Sequence, residues 1–183
     1  MDAADYSKTL LAVARRRGTG AGLEYHQADM RQLSRSWTSR FEAVLNLFTS
    51  FGFFTDRGDD IRVIAEFARV LDVGGRLVWH GASRDGVMAR FLEKDWWTTS
   101  DGSVVTQHRS FDALSGILTV ESRFTAKSGR DVLREHRIRL YTATKLAELF
   151  AEHGLVVEEA HSGFTRRPLD RRSSEMLLVA RKQ

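Results

Sequence analysis

Few side chains in this sequence stand where they could do chemistry, and those few are scattered. His80 closes the apolar run Leu77, Val78 and Trp79. A histidine there can act as a general base near neutral pH, or it can serve structure alone. His108, His136, His153 and His161 fall on separate segments without ligand spacing, so no metal site is expected. The absence of cysteine excludes disulfides and thiolate metal sites. Gly18-Thr19-Gly20-Ala21-Gly22 spells G-x-G-x-G. A nucleotide-binding loop of that kind follows a strand and opens a helix, whereas this run follows a helix and precedes a strand; it reads as a connection. Arginines gather at Arg15 to Arg17 and at Arg166, Arg167, Arg171 and Arg172. Solvated element ends explain them more simply than a nucleic-acid groove, since 28 Lys/Arg are interleaved with 24 Asp/Glu for a net charge of +4.

The elements that must position these groups follow from periodicity. Ser7 caps a helix over Lys8 to Arg17, with Leu10, Leu11 and Ala14 on one face and Gly18 as its stop. Leu23 to Ala28 alternates as a strand, and Phe41 to Phe48 is nearly continuous in apolar character, as in a parallel sheet. Asp59 to Leu71 repeats at helical spacing through Ile61, Ile64, Phe67 and Ala68. Gly74-Gly75 then turns the chain into the strand Arg76 to His80, completing a βαβ unit. After about residue 95 the pattern changes. Val104 to Ser110, Gly116 to Thr125 and Asp131 to Tyr141 read as an antiparallel meander. Thr142 caps a helix through His153, and strands Leu155 to His161 and Glu175 to Arg181 close the chain. At 183 residues this is one domain, in three stretches: 1–95, 96–141 and 142–183. The acidic start and the lack of any run near the ~20 apolar residues of a membrane helix lead to the expectation of a soluble, cytoplasmic protein.

Four segments, in order, resemble the class I S-adenosylmethionine-dependent methyltransferases of the small-molecule type. They are Asp5-Tyr6-Ser7, Gln27-Ala28-Asp29-Met30-Arg31, the run from Phe41 to Phe54, and Leu71-Asp72-Val73-Gly74-Gly75-Arg76-Leu77. Arg139-Leu140-Tyr141-Thr142 and Leu178-Val179-Ala180-Arg181-Lys182 continue the match. Glu42 stands where the family usually has Asp, and Val73 where it has Pro.

The resemblance implies an α/β fold with a Rossmann-like sheet in the order 3-2-1-4-5-7-6, S-adenosylmethionine as cofactor and a small-molecule methyl acceptor. It implies that Asp5, with Tyr6, holds the ribose hydroxyls and that Asp29 and Met30 meet adenine. Asn46, Leu47 and Phe48 would wall the methyl group. Phe51, Phe53, Trp96 and Trp97 would line the acceptor pocket, with His80 and Tyr141 as the groups able to contact the acceptor chemically. It also implies an incomplete sheet. The family's first strand, glycine loop, first helix and most of its second strand have no counterpart before Asp5, so the third strand is expected to lack a sheet neighbour. The expectation is an N-terminally truncated methyltransferase whose cofactor binding alone is open. The alternatives are a non-catalytic subunit that pairs through the exposed sheet edge, as a homo-oligomer or with a partner chain, and a basic nucleic-acid module.

Overall fold

The structure is a computed structural model and describes residues 1–18, 20 and 22–183. Thr19 and Ala21 of the G-x-G-x-G run lie outside the described residues.

The chain opens with β1 (Asp2–Asp5), α1 (Lys8–Arg16) and β2 (Glu24–Gln27). Ser7 caps α1, its hydroxyl accepting from the Leu10 amide at 3.2 Å. The first two strands pair in parallel, Asp2 with Glu24 through Asp5 with Gln27. This corrects the expectation that the third family strand stands alone: four residues before Tyr6 suffice to pair with it.

A second sheet has the order β3 (Phe41–Asn46), β4 (Leu71–Ala82), β10 (Glu175–Lys182) and β9 (Leu155–Ser162). Placed beside the first pair, this reproduces the family order with one strand position between β1 and β3 having no counterpart in the 183 residues. One face of the sheet is covered by α2 (Arg57–Val70) and α4 (Ala143–Ala151), which also touch each other. Asp56 caps α2, and the residues it buries are Asp60, Val63, Ile64, Phe67, Ala68 and Val70, the i, i+3, i+4 stripe of a core-facing helix. They meet Leu77, Trp79, Leu146, Phe150, Met176 and Leu178 in the main core. On the opposite face Leu45 and Val156 remain exposed.

The strand assignment runs from Leu71 through the glycine pair, but β4 advances from Leu71 to Arg76 while β3 advances only from Phe41 to Ala43, and Gly74 takes φ +79°, so the pair turns the chain within the strand. A Cβ at Gly75 would sit 2.9 Å from the Asp72 carbonyl oxygen and 3.0 Å from that of Glu42. The glycine therefore serves a close backbone approach. The strand expected to reach Phe48 ends at Asn46.

The meander has four strands, β5 (Lys94–Thr98), β6 (Val104–Asp112), β7 (Ile117–Thr125) and β8 (Asp131–Arg139), paired in sequence order. The sequence pattern missed β5. A short α3 (Arg84–Met88) packs Val87 and Met88 against Leu118, Val120 and Ile138 of the meander. No helix among the described residues is long and apolar enough to cross a membrane.

The segment leaving β2 is stapled to α2 by an ion pair. Glu66 accepts from the Leu33 amide at 2.6 Å and from Arg69 at 2.7 and 2.8 Å, while Arg69 donates to the carbonyls of Leu33 and Ser34. Arg69 holds the Glu66 carboxyl below the usual carboxylate range. A lowered folded-state value means the stabilisation is present above the unfolded value and is lost as pH falls through the folded one. Glu66→Gln is expected to cost about 1–2 kcal/mol at pH 7, discounted for partial exposure. Thermal melts at pH 7 and pH 3 should show the gap between variant and parent narrow at the lower pH.

Candidate functional site

At the C-terminal end of the β1–β2 pair, Asp5 closes one strand and Asp29 follows the end of the other. The Asp5 Oδ1 accepts from the Ser7 amide at 2.7 Å, and the Asp5 carbonyl accepts from the Ala28 amide at 3.1 Å. That backbone bond brings Asp29 and Met30 up beside Asp5 and Tyr6. The second Asp5 oxygen has no hydrogen-bond partner among the described residues and is free to accept. Asp29 is more occupied. Arg31 donates its amide, Nε and Nη2 to it at 2.6–3.1 Å and its Nη1 to Asp59 at 2.7 Å. Arg31 therefore holds the Asp29 carboxyl below its ordinary value. Most of the roughly four acceptor sites of this carboxylate are taken. A cleft of about 570 Å3 opens beside it, lined by His26, Gln27, Gln32, Trp37 and Arg40 among others.

The end of β3 forms a second cluster. Asn46 is buried and its Oδ1 has no hydrogen-bond partner. Phe48 and Thr49 follow with φ of +57° and +58°, a left-handed conformation that costs a non-glycine residue about 1–2 kcal/mol. His80 holds this turn. Its Nδ1 accepts from the Phe48 amide at 3.1 Å, and its carbonyl accepts from the Thr49 amide at 3.2 Å. With Nδ1 accepting, the neutral imidazole carries its proton on Nε2, a tautomer assigned from this bond. The Nε2 is buried without a hydrogen-bond partner and lies 3.4 Å from Glu175 Oε2. His80 is only 2% exposed, so the structure places it as the anchor of the turn.

A third cluster joins this loop to the meander. Asp60, fully buried, accepts from the Tyr141 hydroxyl at 2.7 Å and from Arg139 at 3.0 Å. Arg139 also donates to the carbonyls of Phe54 and Thr55. Its own amide donates to the Gly52 carbonyl at 2.7 Å, an approach so close that a Cβ on Gly52 would lie 2.6 Å from the Arg139 oxygen. Burial pushes the Asp60 carboxyl up, against the pull of its two donors. Burial and Asp60 push the Tyr141 phenol up as well.

These placements correct three expectations. Tyr141 is a core residue whose hydroxyl is committed to Asp60, so it does not present a reactive group to an acceptor. Phe51 is 2% exposed and wedged between Trp79 and Tyr141, so it fills core and lines no pocket. Trp96 and Trp97 are neighbours on β5, and successive strand residues face opposite sides. Trp96 aligns with Arg123 and Leu133 on an outward cleft of about 680 Å3, whereas Trp97 aligns with the buried Val105 on the other face. They cannot share one pocket. Phe53 stays half exposed beside His136. Sequence reading missed Arg31, Asp60 and Glu175 as polar partners. Asp60 was visible only as a helix-start charge, and Arg139 only as part of a motif.

Residues 2–79 match the methyltransferase domain family. Among solved structures, the CcbJ methyltransferase from Streptomyces caelestis superposes with a TM-score of 0.87 at 20% identity, covering 99% of this chain and 74% of that one. An S-adenosylmethionine-dependent methyltransferase from Clostridium acetobutylicum gives 0.83 at 13%, with 99% and 74% covered. CalS10, an amino pentose methyltransferase from Micromonospora echinaspora with S-adenosylmethionine bound, gives 0.70 at 18%, with 99% and 73% covered. The chain has the fold of these methyltransferases. No curated protein matches its sequence. The clusters at Asp5 and at Asn46 to Phe48 lie at the C-terminal ends of parallel strands, where α/β sheets bind ligands.

The buried Asp60 cluster yields a stability test. Tyr141→Phe removes one donor and is expected to cost about 1–3 kcal/mol. Arg139→Met leaves the carboxylate with its charge unpaired and is expected to cost about 3–5 kcal/mol. Urea unfolding measures both; equal stability of Arg139→Met and the parent would contradict the role given to Asp60.

Proposed function

We propose that this methyltransferase transfers a methyl group to a small-molecule acceptor, with the adenosine half of the cofactor held at Asp5, Tyr6, Asp29 and Met30. The observation that carries this reading is the strained turn at Phe48 and Thr49, beside the buried unpaired Asn46 Oδ1. Strain and unpaired polar atoms persist where a ligand completes the site. The free Asp5 oxygen suits a pair of ribose hydroxyls, since a carboxylate only accepts. Asp29 has little capacity left, so the Met30 amide is the better partner for adenine on that side. Bound S-adenosylmethionine supplies an activated methyl group on a sulfonium.

The chain's own residues then align and exclude water. Asn46, Leu47 and Phe48 wall the reacting end, and His80 fixes their backbone. Neither His80, with Nδ1 engaged, nor Tyr141, with its hydroxyl engaged, stands as a free base, so alignment of the two reactants is the main catalytic contribution. Phe53, and Trp97 on the face of the meander toward the main domain, border the acceptor side. CalS10 is an amino pentose methyltransferase, which supports a small polar acceptor here. A cysteine-free chain suits the cytoplasm.

A second reading is favoured by the free edges of β1 and β3, each paired on one side only. A strand from another chain would complete the sheet there, making the protein a methyltransferase-like subunit.

Calorimetric titration tests the first reading. S-adenosylhomocysteine and 5′-methylthioadenosine are expected to bind with affinities within about threefold of each other, because the named contacts are to adenosine; a threefold difference is under 1 kcal/mol. Asp5→Ala should weaken both about tenfold or more. Absence of binding by the parent chain would favour the subunit reading.

A further inference from the structure

We propose that the open end of the four-stranded sheet beside Phe48 selects acceptors that carry an amino group, with the Glu175 carboxylate as the anion that receives it. This rests on the reading that Asn46 to Phe48 border the reacting end of the site.

Glu175 is the first residue of β10 and pairs with Ala82, the last residue of β4, so its side chain sits at the rim of the sheet. Among the described residues no arginine or lysine comes within 4 Å of its carboxylate; its one charged-type neighbour is His80. That neighbour does not neutralise it. The His80 Nδ1 is occupied by the Phe48 amide, and a second proton on the ring would set two donors against each other. Glu175 therefore has no cationic partner among the described residues, only the Nε2–H of His80 beside it.

The surroundings of this anion are apolar. The Phe164 ring stacks on His80 with centroids 4.2 Å apart, and Phe48 lies 5.5 Å from Phe164. Both phenyl rings are largely open to solvent, Phe48 at 76% and Phe164 at 57%. Two exposed aromatic faces beside an unpaired carboxylate form a surface suited to a carbon skeleton bearing a cation. The rings attract an ammonium through their faces, and the carboxylate accepts its hydrogens. A hydroxyl in the same place offers a single neutral hydrogen bond and no charge, so the site discriminates amine from alcohol by electrostatics.

The test uses the full chain, isotope-labelled, and two probes of equal shape: cyclohexylamine, protonated at neutral pH, and cyclohexanol. Cyclohexylamine is expected to shift the His80 ring and Phe48 amide resonances saturably, and cyclohexanol to leave them in place at equal concentration. Glu175→Gln, whose exposed position leaves the fold unchanged, should weaken the amine response about tenfold. Equal responses to both probes, no response to the amine, or an unaltered response in Glu175→Gln would overturn the proposal. Calorimetry with S-adenosylhomocysteine on the same sample separates the two claims. Cofactor binding without an amine response overturns this inference alone, whereas an amine response without cofactor binding leaves an amine site and overturns the methyl-transfer reading.

Discussion

The buried charge of Asp60 is the contact on which the arrangement of the site depends. A carboxylate taken wholly out of water must find donors, and its donors come from Arg139 and Tyr141, 79 and 81 residues away. Pairing its Oδ2 with both donors fixes helix α2 against the end of β8 and the strand-to-helix junction at Tyr141. Arg139, once held, reaches on to the carbonyls of Phe54 and Thr55, and its backbone is bonded to Gly52. The loop that leaves β3 is thereby pinned at its far end. His80 pins it at the near end through the Phe48 amide. Between these two fixed points, Phe51 is driven into the core.

That double anchoring explains why two non-glycine residues in succession hold a left-handed conformation. A free loop would relax Phe48 and Thr49 to extended or right-handed backbone, regaining about 1–2 kcal/mol at each. The bonds from His80 and the burial of Phe51 offset this cost. The result is a turn that sets the Phe48 ring in solvent while its amide faces inward, next to a buried asparagine with an unpaired oxygen. Such local strain is a feature of binding sites that the rest of the fold over-determines. The split sheet gives the other half of the picture: the carboxylates of Asp5 and Asp29 belong to one strand pair and the turn to another sheet, and Arg31 ties the two by bridging Asp29 to Asp59 of α2.

Much of this was legible before any coordinates. The helix caps Ser7 and Thr142, the apolar run from Phe41 and the βαβ unit through α2 follow from local periodicity, and the structure has them within a few residues. The glycine pair at 74 and 75 reads as a turn, and it forms a tight bulge inside β4 where the backbone packs close to that of Glu42 in the neighbouring strand β3. The tandem tryptophans read as one aromatic patch, and only the β5–β6 register assigns them to opposite faces. Tyr141 and Phe51 look like pocket residues because they sit in or beside family motifs, yet both are consumed by packing. The polar partners of the site were hidden for a simpler reason. Arg139 and Asp60, or Glu175 and His80, are joined only through the tertiary fold, and no spacing along the chain announces them.

The account stands on cofactor contact with both halves of the split site, and the most direct measurement is an amide chemical-shift map of the labelled chain titrated with S-adenosylhomocysteine. Shifts gathered at Tyr6 and Met30 on one side and at Leu47, Phe48 and Thr49 on the other are the predicted result. Shifts confined to the outward face of the meander around Trp96 and Leu133, or none at either strand end, would contradict it.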